Sequence, residues 1–423
     1  MDGKSAVLMA CVLFGFSMPI ARADTPSLAI SGFSGFEFGQ IIQGYDSYLG
    51  KEIQHQWMQN LRGGITLNSH VTNKLSAIVS LEVQYRNFYP MLTSYPSSEQ
   101  LDFLVYPHQI EAIFSLKEQN SPLLIGVGYF PYKYCAHARN LGEYLFRSGT
   151  YPPYVNTEFD APFERLMGLH VESELGLFKQ SLLLTSSTNY PLYDYSLSYL
   201  GSLNVPRILN IGLGAGLHRF FSVDDPGRTT PRSSFNGYKY IDGADTLEYT
   251  FKGVKLMGHF SFDPKGFFPN NIFGPEDLVL YGEGAVLGYQ NYPMSVDSVF
   301  AGYEKLNERI PLMMGFNFPA FKLLDVLAVE AEWFPSKFSS SLENIYMKNV
   351  PLPDQNVKNN YLDDWKWSVY ARKTFTKRYS VTIQVANDHL RLNAHDVMHH
   401  QLWEEILQKP GDLWYMIKQR IDF

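Results

Sequence analysis

The sequence predicts an all-β chain closed into a transmembrane up-and-down antiparallel β-barrel, of about sixteen strands within a range of about 14 to 18. Three observations predict it: apolar and polar residues alternate through most of the chain, the connections between alternating segments are short at one end and long at the other, and the final segment alternates up to a terminal Phe423. Composition agrees. Charged residues make up 18% of the 423, below the roughly 25% usual in soluble proteins. Aromatic residues reach 15%, with 28 Tyr and 30 Phe against 6 Trp. A hydrophobic content of 45% excludes both a helical membrane protein and a disordered chain. The formal charge of −7 leaves no basic footprint, so no nucleic-acid partner is expected.

Residues 1–23 read as a secretory signal peptide. Lys4 supplies a basic start, Ala6 to Ile20 are apolar apart from Ser17, and Ala21-Arg22-Ala23 gives a small-x-small cleavage pattern. Residues 24–423 are then a single barrel domain. Removing the leader takes away Lys4, Arg22 and Asp2 and leaves a net charge of −8. It also takes away Cys11, so Cys135 has no partner for an internal disulfide. No run of 18 apolar residues follows the leader, which excludes spanning helices.

Alternation is clearest from Leu75 to Tyr85. The odd positions are Leu75, Ala77, Val79, Leu81, Val83 and Tyr85; the even ones are Ser76, Ile78, Ser80, Glu82 and Gln84. Leu209, Ile211, Leu213, Ala215 and Leu217 likewise oppose Asn210 and three glycines, and Val381, Ile383 and Val385 oppose Thr382 and Gln384. One apolar face and one polar face is the pattern of a half-buried strand. Sixteen such segments are expected: 28–43, 55–70, 75–89, 107–117, 122–130, 161–174, 177–186 and 193–203 in the first half. In the second they are 208–221, 246–262, 276–290, 308–317, 324–334, 364–375, 379–391 and 413–423. A bulge is expected near Gly253, because Tyr249 and Phe251 are out of phase with Val254, Leu256 and Phe260.

Connections after the second, fourth, sixth, eighth and fourteenth segments are short. Those after odd segments are mostly long: 90–106, 131–160, 222–245, 291–307, 335–363 and 392–412. A barrel inserted from one side of a membrane shows this parity, and a soluble sandwich has no reason to. Two connections break it, 263–275 by being long and 187–192 by being short.

In the last segment Leu413, Tyr415, Ile417, Gln419, Ile421 and Phe423 share one face, and Trp414, Met416, Lys418, Arg420 and Asp422 the other. Here the sequence resembles the Gram-negative outer-membrane β-barrels, porin-like members among them, whose last strand alternates and ends in an aromatic residue. The resemblance implies the cell outer membrane of a Gram-negative-type bacterium, outer-membrane lipid as surroundings, and Tyr415, Ile417, Ile421 and Phe423 as the signal read by the barrel-assembly machinery. A homotrimer follows by similarity to general porins, with a monomer left open. Physics agrees: lipid cannot hydrogen-bond open backbone, so a sheet there must close. Aromatic residues near predicted strand ends, such as Tyr85, Phe88, Phe220, Phe221, Trp333, Trp365 and Trp367, would then sit at the two interfaces.

If the apolar face meets lipid, the polar face lines a lumen. Lumen charges are expected at Arg62, Glu82, Arg86, Glu111, Glu164, Glu172, Lys255, Glu283, Glu330, Glu332, Lys366, Arg372 and Lys418. A barrel of about sixteen strands is too wide for side chains to fill. The 131–160 connection is the third on the long side; in general trimeric porins that loop folds into the bore, and the similarity implies the same here. Ala138 to Phe146 could form a short helix, weakened by Gly142, that would stack Arg139, Glu143 and Arg147 on one face as pore-constriction or loop-pinning residues. A solvated external loop is the alternative.

Other chemistry is thin. His395 and His399 stand at i and i+4 beside His400, but Asp396 follows His395, which departs from a His-Glu-x-x-His metal motif, so no metal is assigned. Glu330 and Glu332 suggest paired carboxylates, yet no nucleophile elbow or phosphate-binding glycine loop accompanies them. No catalytic residue and no cofactor is assigned. The reading is a channel for diffusion of small hydrophilic solutes; the alternatives are a plugged barrel whose outer loops bind a surface ligand or polymer, and an exported soluble β-sandwich or carbohydrate-active enzyme.

Overall fold

A computed structural model describes residues 27–46, 51–88, 102–116, 123–150, 163–187, 194–221, 238–242, 245–249, 252–267, 272–292, 303, 305–336, 364–393 and 402–423. The first nine strands are β1 (Ser27–Asp46), β2 (Lys51–His70), β3 (Leu75–Phe88), β4 (Asp102–Ser115), β5 (Leu123–Tyr132), β6 (Glu164–Leu175), β7 (Phe178–Ser187), β8 (Tyr195–Val205) and β9 (Leu209–Phe221). A separate hairpin, β10 (Tyr238–Asp242) and β11 (Asp245–Tyr249), comes next. Then follow β12 (Lys252–Phe262), β13 (Leu280–Tyr292), β14 (Leu312–Asn317), β15 (Val326–Trp333), β16 (Trp365–Thr374) and β17 (Tyr379–Asn387). A small ribbon of β18 (Arg391–Asn393) and β19 (Leu402–Glu405) precedes β20 (Leu413–Asp422).

Sixteen of these strands close into one antiparallel barrel, in the order β1 to β9, β12 to β17, then β20. Each coincides with one of the sixteen alternating segments. The segment expected at 246–262 divides: Asp245–Tyr249 pairs in the outer hairpin and the barrel strand begins at Lys252. The expected bulge is the register shift between Val254 and Leu256 against β13.

Closure happens where β1 meets β20, with Phe33 opposite Asp422 and Glu37 opposite Lys418. The seam extends one residue further, because Gly32 and Phe423 exchange backbone hydrogen bonds of 2.8 and 2.9 Å. A side chain on Gly32 would meet the Phe423 ring at 2.7 Å, so this close approach requires glycine.

Burial is inverted relative to a water-soluble protein. Large apolar side chains point outward, among them Leu213 at 70%, Ile65 at 55% and Leu81 at 47% exposure. Glu82, Glu111, Lys255, Glu283 and Lys366 are buried inside. With period-two side chains on a closed sheet, one face can only look out and the other in. Among the described residues no helix is long and apolar enough to cross a membrane.

Candidate functional site

After β5 the chain turns into the barrel. The expected helix over 138–146 does not form; the only helical turn there is α1 (Tyr144–Arg147). Gly142 and Glu143 take left-handed conformations, with φ of 84° and 61°. A side chain on Gly142 would lie 2.8 Å from Met313 Cε and 3.0 Å from Glu283 Oε2. The break aims a series of backbone N–H groups at the wall, a concavity built for anions.

Three wall carboxylates fill it. Glu330, on β15, accepts from the N–H groups of Arg139, Asn140 and Leu141 at 2.5, 2.9 and 3.0 Å. Glu283, on β13, accepts from the N–H groups of Glu143 and Tyr144 at 2.7 and 2.8 Å, and from the Tyr134 hydroxyl. Glu332 accepts from the Tyr144 hydroxyl at 2.6 Å. Apolar contacts complete the seat: Leu141, Tyr144 and Leu145 join a cluster with Leu183, Leu200, Met257 and Tyr281 of the inner wall. Glycines on β9 make room, since side chains on Gly214 and Gly216 would come within 3.3 and 3.2 Å of Leu145.

Two further segments fold inward. Beyond β17, His389 sits between Glu332 at 2.5 Å and Glu405 at 3.1 Å, and Lys366 reaches Glu405 at 2.5 Å and the Leu407 carbonyl at 2.6 Å. Burial alone would lower the His389 pKa, but Glu405 and Glu332 outweigh it and hold it up at about 9. From the opposite end, the 263–279 connection carries Glu276 to Arg139 at 2.7 Å and His137 at 3.4 Å. The His137 hydrogen bond, with Arg139 adding to it against burial, holds the Glu276 carboxyl down at about 2.

What remains open is a cavity of about 570 Å³. Its walls run along β17 from Ser380, beside the short turn, to Asp388, just past the other end, and along β20 from Trp414 to Asp422. Across the sheet, Arg372 on β16 is opposite Thr382 on β17, Thr382 is opposite Lys418 on β20, and Lys418 is opposite Glu37 on β1. One register step away, Arg420 and Arg62 both lie opposite Gly35.

Arg139 and Arg147 line the cavity but share no helix face. Arg147 donates to the carbonyls of Asn140 and Gly142 at 2.9 and 3.3 Å. Glu143 does not line it. Its carboxylate accepts from the N–H groups of Cys135 and Tyr134 at 2.7 and 3.2 Å, which ties the loop to itself. Burial and the neighbouring Glu283 push its pKa up to about 8.

Of the expected lumen charges, Arg62, Arg372 and Lys418 line the open cavity, and Glu283, Glu330 and Glu332 lie beneath the loop. Lys255 donates to the Ser148 carbonyl at 2.8 Å. Glu82 pairs with Arg62 at 2.5 Å, Glu111 with His170 at 2.5 Å, and Glu172 with Lys179 at 3.1 Å. Glu164 is buried on β6, and Arg86 is opposite Asn60, its side chain outside the described residues. His395, His399 and His400 lie outside the described residues as well. His389 and Glu276 were not expected at the site. The visible signal for Glu276 was the connection of the wrong length, 263–275; nothing marked His389 apart from its neighbours in the strand pattern.

No protein-family model and no curated protein matches the chain. Solved structures of similar architecture include a triple mutant of the Rhodopseudomonas blastica porin, 8% identical, TM-score 0.44, with 94% of this chain and 100% of that one covered. Another is Salmonella typhi OmpF in complex with daunomycin, 10% identical, TM-score 0.48, covering 94% and 97%. These are likenesses to the bacterial porin barrel at low sequence identity.

Proposed function

We propose that the chain is a porin-like channel of the outer membrane of a Gram-negative-type bacterium, passing small hydrophilic solutes by diffusion. The observation that carries this reading is the polar-walled cavity that follows β17 and β20 along their length while the inner loop is seated on the neighbouring wall at β13 and β15. A bore of this kind needs no cofactor and no covalent step; solute size and wall charge set what passes. The purified full-length protein should give discrete open steps in planar bilayers. A silent bilayer would instead favour the plugged barrel with ligand-binding outer loops.

The outward apolar band supports lipid as its solvent, because a monomeric soluble surface rarely carries so large a patch. Leu213→Arg on β9 is expected to destabilise a lipid-embedded barrel by about 2–4 kcal/mol in a denaturant titration. In a water-exposed barrel the same change would be near neutral. The Tyr415, Ile417, Ile421 and Phe423 face belongs to the same reading as the docking segment for the assembly machinery, and Phe423→Ser should lower the yield of membrane-inserted protein. Mass in detergent separates a homotrimer from a monomer.

A further inference from the structure

We infer that the bore selects anions, an inference that rests on the diffusion-channel reading. Eight Lys and Arg side chains line the cavity against three carboxylates, Glu37, Asp388 and Asp422, and the excess remains after Arg62 and Arg139 are set against Glu82 at 2.5 Å and Glu276 at 2.7 Å. This excess runs against the composition of the whole chain, which is −7. It is therefore a local arrangement, and the register shows its origin. Arg372, Lys418, Arg420 and Arg62 stand at two neighbouring levels on three strands of one wall, β16, β20 and β2.

Two further features make the excess effective. The three cavity carboxylates are each tied to a donor, Glu37 to Asn60 at 2.7 Å and Arg62 at 3.6 Å, Asp388 to Asn140 and Trp414 at 2.5 and 2.9 Å, and Asp422 to Arg420 at 2.8 Å, and they reduce the cationic excess without reversing it. The acids that would otherwise balance the wall, Glu283, Glu330 and Glu332, lie under the loop and face its amides. In their place the loop presents Arg147 to the cavity, with Arg139 beside its partner Glu276, so cationic groups stand on both of its sides. Spread along the strands, a volume of about 570 Å³ is narrower than the roughly 10 Å of an equal sphere, comparable with the Debye length of about 8 Å at physiological salt, so charges on the two sides act on the same solvent. Low-dielectric walls focus that field. Chloride, inorganic phosphate and small carboxylates are the solute class it fits, and potassium the class it excludes.

Reversal potentials of the full-length channel in a KCl gradient at pH 6 test this. The unmodified protein should show a chloride-to-potassium permeability ratio of about 3 or more, and Arg372→Gln with Lys418→Gln should at least halve it. The charge-conserving pair Arg372→Lys with Lys418→Arg should keep the ratio, which separates loss of charge from loss of fold. Open channels that prefer potassium, or a ratio unmoved by the neutral pair, would overturn the anion filter and leave the channel standing. Absence of open steps would remove both.

Discussion

Two adjoining parts of the barrel interior, of five strands each, solve the problem of inward polar side chains in opposite ways. On the part made by β9 and β12–β15, the wall carboxylates are covered. Glu330, Glu332 and Glu283 accept in turn from the N–H groups of 139–141, of Gly142 at 3.4 Å, and of 143–144, and Leu141, Tyr144 and Leu145 pack around them. On the part made by β16, β17, β20, β1 and β2, Arg372, Lys418 and Arg62 line open space. Buried backbone donors need acceptors, and carboxylates supply the strongest ones. A cation cannot accept from a backbone N–H; Lys255 instead donates to the Ser148 carbonyl at 2.8 Å. The loop accordingly lies against Glu283, Glu330 and Glu332, and the cavity stays open beside Arg372, Lys418 and Arg62.

The largest test of that contrast is Glu330→Ala. It orphans three backbone donors and the Tyr281 hydroxyl, which donates to Glu330 at 2.9 Å. At about 1–3 kcal/mol for each buried donor left unsatisfied, the four amount to about 4–12 kcal/mol if the loop stays in place. We expect the loop to leave the wall, single-channel conductance to rise, and trypsin to cut after Arg139 or Arg147. Unchanged conductance together with protease resistance would show that the loop is held by something other than the carboxylates.

Alkaline pH should loosen the covered part more gently. Glu143 and His389 both have pKa values above their ordinary 4.5 and 6.5, at about 8 and about 9. A raised folded-state pKa contributes stability that is complete below the ordinary value and is lost as pH rises through the folded one. The windows are 4.5 to 8 for Glu143, set by burial and Glu283, and 6.5 to 9 for His389, set by Glu405 and Glu332 against burial. Hydrogen exchange at the amides of 139–144, corrected for intrinsic rate, should quicken between pH 6.5 and 9 while β17 and β20 stay protected. Equal changes in both parts would erase the distinction.

Gly142→Ala is smaller again. Left-handed backbone with a side chain costs about 1–2 kcal/mol, and the nearest obstacle, Met313 Cε, is the flexible end of a side chain. A modest conductance increase, well below that of Glu330→Ala, is expected. The least perturbing probe is Cys135, buried where the loop leaves β5, with its thiol pKa pushed up by burial and by Glu143 and Glu283. Its labelling by a maleimide at pH 7 should be at least about tenfold slower than in the denatured chain, and should quicken in Glu330→Ala. Rapid labelling of the unmodified protein would mean that the covered part is open to solvent.

The sixteen barrel strands, the bulge after Gly253 and the seam-forming β20 were all legible in the sequence, because a strand writes its two environments into alternate residues and needs no partner to do so. The polar face of each strand was legible for the same reason. What Arg139, Glu143 and Arg147 do was not. Their spacing of four fits a helix, yet an intrahelical ladder would spend the amides of 139–144 on the loop's own carbonyls, whereas Glu330 and Glu283 offer charged acceptors from strands about 140 and 190 residues away in the chain. The meeting of Glu276 with Arg139, and of His389 with Glu332 and Glu405, likewise depends on separations that no local pattern records. Alternation alone determined the barrel and which side chains enter it. Which of them are covered and which face the bore was decided only when closure brought distant carboxylates and one loop's amides within hydrogen-bond reach.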